Sequence, residues 1–223
     1  MSEIVIRISE NGAVSVEESS NGISSFKRIE PDDLTKCISG SMMRGITTGL
    51  LPGGCLSYFQ TDNGDRGITL LFPYNRADIS YYDTLYPNFP LPKLVFSFRV
   101  NADGRVLGCW LGVVANDSIL KPDTTMLRYP FSNVSGFHLC TGNNVLPKCA
   151  SLHTLASLPY FILSMPNNND FFSTGNNKPG LEMRDLLELL KEKEPEYYYS
   201  DVLIPFNGVT LDDFINQRGV SVS

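Results

Sequence analysis

Leu94-Val-Phe-Ser-Phe-Arg-Val-Asn-Ala-Asp-Gly-Arg-Val-Leu-Gly-Cys-Trp-Leu-Gly-Val-Val114 reads as two β-strands, Leu94 to Val100 and Val106 to Val114. Both are rich in aromatic and β-branched residues, and Asn101-Ala-Asp-Gly104 between them carries the turn chemistry of a hairpin. Working back along the chain, Cys55 to Gln60, Gly67 to Pro73 and Asp78 to Tyr82 have the same character. Asp62-Asn-Gly-Asp-Arg66 supplies a hairpin loop between the first two of these. Consecutive hairpins predict an antiparallel meander rather than a crossover-linked parallel sheet. Cys109 falls inside an apolar strand, and Trp110 is expected in the core between this sheet and a helix.

The first fifty residues read as a small appendage of hairpin plus helix, residues 1–50, with the main sheet as a surface it can pack on. Ile4, Ile6 and Ile8 alternate on one face, and Val14 and Val16 follow Glu10-Asn-Gly-Ala13. Period-two alternation around Asn-Gly is a strong hairpin signal, because that turn wants positive φ at both central residues. Ser19-Ser-Asn-Gly22 makes a loop or second turn. Pro31-Asp-Asp-Leu-Thr-Lys-Cys-Ile opens a short helix whose acidic residues suit its N-terminal end, with Gly40 and Gly45 limiting its length.

Beyond the meander, Ser151 to Leu163 predicts a helix interrupted by Pro159. The strongest helix runs from Leu181 to Lys193, with Leu186, Leu189, Leu190 and Lys193 in a stripe and Pro195 ending it. Asn167-Asn-Asn-Asp170 and Thr174-Gly-Asn-Asn-Lys-Pro-Gly180 have the composition of flexible loops. Tyr81-Tyr82 and Tyr197-Tyr-Tyr199 suit a partner surface or, more economically, packing. The expected class is α+β, with residues 51–223 as the main domain carrying a C-terminal helical extension.

Composition narrows the functions. The chain has 223 residues, 42% hydrophobic and 19% charged, with a net charge of −6. That balance, without a Lys/Arg block, argues against a nucleic-acid surface. No apolar run reaches bilayer length and the N-terminus lacks a signal layout, so no membrane partner is expected. Five scattered cysteines fit a reducing cytoplasm better than a disulfide framework. With two histidines and no Cys-x-x-Cys pair, neither a metal nor a cofactor is expected, and the glycine pairs match no phosphate-binding motif.

The segment Tyr129-Pro-Phe-Ser-Asn-Val-Ser-Gly-Phe-His-Leu-Cys-Thr-Gly-Asn-Asn144 holds the candidate chemistry. A short apolar step delivers Cys140 into a loop of Thr, Gly and Asn, and Gly136, Gly142 and Asn143 can all take positive φ. This arrangement presents a thiol at a strand end with the Asn133 carboxamide near it. A thiol is intrinsically nucleophilic, and a carboxamide can stabilise an oxyanion. Against this, most lone cysteines are small buried hydrophobes, and an Asn in a turn commonly bonds its own backbone. Asn143 and Asn144 are alternative carboxamides or simple loop formers. His138 and His153 raise a cysteine-hydrolase reading, His153 being the better base, though without an evident orienting residue. Cys149 is a resolving thiol in a redox reading and an inert one otherwise.

Phe131-Ser-Asn-Val-Ser-Gly-Phe-His-Leu-Cys-Thr-Gly142 resembles the active-site segment of ubiquitin-conjugating enzymes, and more closely that of the prokaryotic ubiquitin-conjugating-like family D, which includes the PRTRC system B proteins. Leu51-Pro-Gly-Gly-Cys-Leu-Ser-Tyr58, Pro90-Leu-Pro-Lys-Leu-Val-Phe96 and Pro122-Asp-Thr-Thr-Met-Leu127 resemble further pieces of that family in the same order. So do Tyr160-Phe-Ile-Leu-Ser164 and Asp170-Phe-Phe172. Phe131 and Ser132 stand in place of the eukaryotic His-Pro, and Asn133 lies seven positions before Cys140, one closer than in most eukaryotic members. The resemblance implies an antiparallel meander packed on helices over roughly residues 50 to 175. It implies a bacterial carrier that accepts a ubiquitin-like protein from a ThiF-like activating enzyme as a thioester on Cys140 and passes it to an amine, with Asn133 assisting. The family's genes accompany plasmids and mobile elements. The alternative within the same resemblance is a catalytically inactive binding or scaffold module.

Overall fold

The computed structural model describes residues 2–20, 22–42, 48–61, 63–73 and 75–217. Asn21, Gly45 and Asp62, named above in turns and as a helix limit, lie outside the described residues. The chain divides into two compact units, Met1–Gly49 and Leu50–Ser223.

In the first unit, β1 (Ser2–Ile8), β2 (Val14–Ser20) and β3 (Ile23–Ile29) form an antiparallel sheet in that order. The hairpin forms at Asn-Gly, but through a five-residue connection in which Gly12, with φ of +80°, and not Asn11 takes the positive value; the Asn11 carboxamide accepts from the Ser9 hydroxyl at 2.7 Å. The third strand is an addition to the expected hairpin. Its apolar residues, Ile23, Phe26 and Ile29, recur every third position, which hides a period of two. Helix α1 (Pro31–Met42) has Pro31 in its first turn, where no N–H is needed, and Asp32 and Asp33 beside it. It runs through Gly40, which does not end it.

The second unit is built on a meander of β4 (Cys55–Gln60), β5 (Arg66–Phe72), β8 (Leu94–Val100) and β9 (Val106–Val114), with β6 (Asn75–Tyr81) and β7 (Thr84–Leu91) inserted as a separate two-stranded hairpin. The expected strand at Asp78 to Tyr82 therefore belongs beside the meander, not in it, and β5 pairs directly with β8. The far edge of β9 is shared by β10 (Thr125–Leu127) and by a short hairpin, β11 (Val134–Ser135) and β12 (His138–Leu139). Strand β13 (Pro205–Thr210) extends the sheet beyond β10. The architecture is α+β with mostly antiparallel strands in a curled sheet.

Strand alternation gives this sheet two buried faces. Ile68, Leu70, Phe96, Phe98 and Leu111 point to one core, which α2 (Leu152–Leu163) and α3 (Met183–Leu190) close. Val95, Val114, Met126 and Phe137 point to the other, closed by Leu211 and Phe214 of α5 (Leu211–Asn216). Each fully buried side chain of this size contributes about 1.5–3 kcal/mol. Trp110 belongs to this second face, half-buried, with the Arg99 guanidinium 5.7 Å from its ring centroid. It does not fill the core between sheet and long helices, because Cys109 and Leu111 take the inward positions on that side.

Pro159 does not interrupt α2, which continues to Leu163. A mid-helix proline costs about 3 kcal/mol. Here Leu152, Leu155, Leu158, Pro159, Ile162 and Leu163 are all buried, which more than offsets it. Helix α3 is shorter than predicted and buries Met183, Leu186, Leu187 and Leu190. Leu189 sits beside that stripe, and Lys193 lies past the helix end. The Tyr197-Tyr-Tyr199 run opens α4 (Tyr197–Asp201), and Tyr198 is fully buried, donating to the Pro90 carbonyl at 2.9 Å. Packing explains this tyrosine. The segment after Ser173 is tied down as well: Asn177 is 2% exposed and its carboxamide bonds both the N–H and the carbonyl of Leu181.

Candidate functional site

The β11–β12 hairpin sets the geometry around Cys140. Gly136 and Phe137 form its two-residue turn, and Gly136 has φ of +62°, the positive value a tight II′-type turn places first. Val134 pairs with Leu139 and Ser135 with His138. The ladder continues one step further, since the Cys140 N–H donates to the Asn133 carbonyl at 2.8 Å. Asn133 and Cys140 are thus cross-strand neighbours, which accounts for their seven-residue spacing. The hairpin is held to the sheet by pairing of His138 with Trp110 and by the Leu111 N–H donating to the Phe137 carbonyl at 2.8 Å.

Asn133 has φ of +66°, a region that Asn tolerates better than other side-chain-bearing residues. Its N–H donates to the Asp170 carbonyl at 2.8 Å, and its Nδ2 lies 3.5 Å from the Pro166 carbonyl, at the limit of a hydrogen bond. These contacts bring the segment after α2 against the hairpin. That segment is not a loose loop. Asn167 donates from its backbone and its carboxamide to the Ser80 carbonyl and accepts from the Ser132 hydroxyl at 3.1 Å. The Asn169 carboxamide accepts from the buried Tyr81 hydroxyl at 2.7 Å. Asn168 and Asp170 bond reciprocally, carboxamide to carboxylate at 2.8 Å and backbone N–H to carboxamide oxygen at 2.7 Å.

Asn133 and Cys140 line one small open pocket of about 80 Å³ together with Thr141, Gly142, Asn144, Met165, Pro166, Asn168 and Asp170. Cys140 is half-buried and its thiol has no hydrogen-bond partner among the described residues. No Lys, Arg or His lines the pocket. Its polar side chains are carboxamides, one hydroxyl and the Asp170 carboxylate, an arrangement that can expose sulfur, orient a carbonyl and receive a cationic amine.

The remaining candidates separate from this pocket. His138 packs edge-on against Trp110 at 6.0 Å between ring centroids and lines a different hollow with Leu107 and Leu146. His153 is exposed in the first turn of α2. Neither imidazole hydrogen-bonds Cys140. Cys149 is buried, its backbone N–H donating to the Gly104 carbonyl, and burial raises its thiol pKa against the lowering influence of Arg66. Burial raises the Cys109 thiol further still. Asn144 closes its own loop, donating from both nitrogens to the Thr141 carbonyl, and Asn143 is exposed.

Asn168 and Asp170 form the far wall of the pocket and are not among the residues that the sequence marks as candidates. The available signal was the unbroken Asn-Asn-Asn-Asp run, in which each side chain can bond a different backbone group.

Among the described residues no group of His, Cys, Asp and Glu is placed to hold a metal ion, and no helix is long and apolar enough to cross a membrane. No family model matches the chain, and neither the curated proteins nor the solved structures give a significant match.

Proposed function

We propose that this protein is a ubiquitin-conjugating-like carrier of a bacterial, cytoplasmic modification pathway. In it, β4, β5, β8 and β9 form the conjugating-type meander, α2 backs it, and Cys140 is the acceptor thiol. The observation that carries the reading is the cross-strand placement of Asn133 and Cys140 at the rim of one open pocket. A ThiF-like enzyme would activate the C-terminus of a ubiquitin-like protein with ATP. The Cys140 sulfur attacks the incoming thioester carbonyl, a new C–S bond forms, and the activating enzyme's sulfur leaves, taking up the proton that Cys140 gives up. That exchange needs little driving force, since one thioester replaces another.

Amide formation follows when an amine attacks the Cys140 thioester. Its C–N bond forms as the C–S bond breaks, and Cys140 regains a proton as the thiol. The tetrahedral oxyanion between these steps is where a carboxamide donor such as Asn133 acts, and losing one such donor costs roughly 10²–10³ in rate. Asp170, on the opposite wall, is placed to hold the incoming amine and to accept its proton as the C–N bond forms.

A second reading rests on Asn133 itself. Its positive φ and backbone bonds already give it a structural task, as a binding or scaffold module of the same class would require. A cysteine hydrolase would need an imidazole at Cys140, and both histidines lie elsewhere.

The test is a charging assay with ATP, an activating enzyme and its ubiquitin-like protein, run on non-reducing and reducing gels beside Cys140→Ser and Cys149→Ser. A thiol-sensitive adduct lost only in Cys140→Ser establishes the carrier. Partner binding without an adduct in the wild type replaces it with the scaffold.

A further inference from the structure

The unit of residues 1–49 has almost no core of its own. Among its described residues, only Val14 and Leu34 are buried apolar side chains. Units of this size are marginal even when well packed, and a small sheet gains stability from further strands. Here Ile4, Ile6 and Ile8 remain 63%, 46% and 68% exposed. They share a face with Val14 and Val16, the cross-strand partners of Ile8 and Ile6.

The two edges of this sheet differ in a way that selects one of them. Edge strands are normally protected by charge, lysine above all. β3 carries Lys27 and Arg28, both exposed and one on each face of the sheet. β1 carries Arg7 as its one basic residue, and Glu17 of β2 neutralises it at 2.7 Å. The outer backbone edge of β1 pairs with no strand among the described residues.

β1 is also complementary to itself. Antiparallel pairing of two copies about Ile6 sets Ile6 against Ile6 and Ile4 against Ile8 of the second copy, with Val5 opposite Arg7. Pairing two β3 strands about Phe26 would set Lys27 against Ser25 and Arg28 against Ser24, leaving four cations along the joined edge. Charged side chains on an edge oppose such pairing, whereas β-branched cross-strand pairs favour it.

We propose that residues 1–49 are a homodimerisation module, in which β1 pairs antiparallel with β1 of a second copy. The two three-stranded sheets become one continuous sheet with a shared isoleucine ladder, under the two-fold symmetry that self-complementary surfaces produce. This is independent of the carrier chemistry at Cys140.

The test is analytical ultracentrifugation of the full chain over a concentration series, with Ile6→Lys and Phe26→Lys beside the wild type. The expected result is a reversible dimer that Ile6→Lys abolishes, by placing two ammonium groups at the axis, and Phe26→Lys retains. Hydrogen exchange of the wild type keeps the proposal open to refutation should Ile6→Lys misfold. Amides of residues 3–8 should gain protection as concentration rises, and those of residues 23–29 should not. A monomer at every concentration, a dimer indifferent to Ile6→Lys or lost in Phe26→Lys, or protection rising in β3 instead overturns it.

Discussion

At Asn133 two roles compete for one side chain, and glycine separates them. The residue sits at φ of +66°, which glycine adopts freely and alanine does not. Asn133→Gly therefore keeps the backbone bonds to Asp170 and Cys140 while removing the carboxamide. If that carboxamide stabilises the oxyanion, single-turnover discharge of the Cys140 thioester to free lysine should slow by roughly 10²–10³ with charging unchanged. Asn133→Ala should add about 1–2 kcal/mol of backbone strain, read as a lower denaturation midpoint. Discharge by Asn133→Gly at the wild-type rate would leave Asn133 as a turn residue. The cysteines offer a second check that needs no partner. Cys37 is exposed and Cys140 half-exposed, whereas Cys109 and Cys149 are buried with thiol pKa values raised by burial. Raised thiol pKa values mean less thiolate at neutral pH, and reactivity follows thiolate. Brief maleimide treatment at neutral pH, followed by peptide mass analysis, should label Cys37 and Cys140 and spare Cys109 and Cys149 until the protein is unfolded. Early modification of Cys149 would contradict its packing.

The hairpin that carries Cys140 is fixed through β9, and Gly112 is the point at which that link can be tested. A Cβ at Gly112 would stand 2.8 Å from the Met126 Cε and 2.9 Å from the Phe137 ring. The methionine end can yield, but Phe137 is wedged between Phe206 and Phe214 at 4.4 and 5.1 Å between ring centroids. Overpacking of this kind typically costs about 1–3 kcal/mol. Phe137 is the second turn residue of the hairpin, so Gly112→Ala should both lower the urea midpoint at constant slope and disturb the register that opposes Asn133 to Cys140. An unchanged midpoint would mean that Met126 and Phe137 shift to admit the methyl group without cost.

The same element scale shows what the sequence could reveal. β4, β5, β8 and β9 were legible because their alternation and turn residues are local signals. β7 was not, because Pro87 and Pro90 argue against a strand, and the two-stranded hairpin it forms leaves it a free edge where proline is tolerated. β10 and β13 are defined by each other, Thr125 pairing with Thr210, and no local pattern announces a partner so far along the chain. At the site, Cys140 and Asn133 were legible because the turn between them is local. Asn168 and Asp170 were not, since an Asn-rich run that is pinned has the same composition as one that is free.

At the scale of the whole molecule, the two units differ in how their apolar residues are used. Residues 50–223 bury side chains on both faces of one sheet, and α2, α3 and α5 close those faces. Among the described residues of 1–49, Ile4, Ile6, Ile8, Ile23, Phe26 and Ile38 are exposed. A core closed on both sides has the ingredients of cooperative, independent folding, whereas a three-stranded sheet and one helix in which only Val14 and Leu34 are buried among the described apolar residues do not. A chain of residues 50–223 should therefore unfold in one sigmoidal urea transition, with the near-ultraviolet signal of its buried tyrosines intact beforehand. Its Cys140 should be labelled by maleimide at the rate seen in the full chain, because every residue lining its pocket lies within this unit. It should also be monomeric, since the proposed pairing strand is gone. A broad transition with strong dye binding would show that residues 1–49 complete the core. A persistent dimer would move the self-association surface onto the larger unit, whatever the fate of β1.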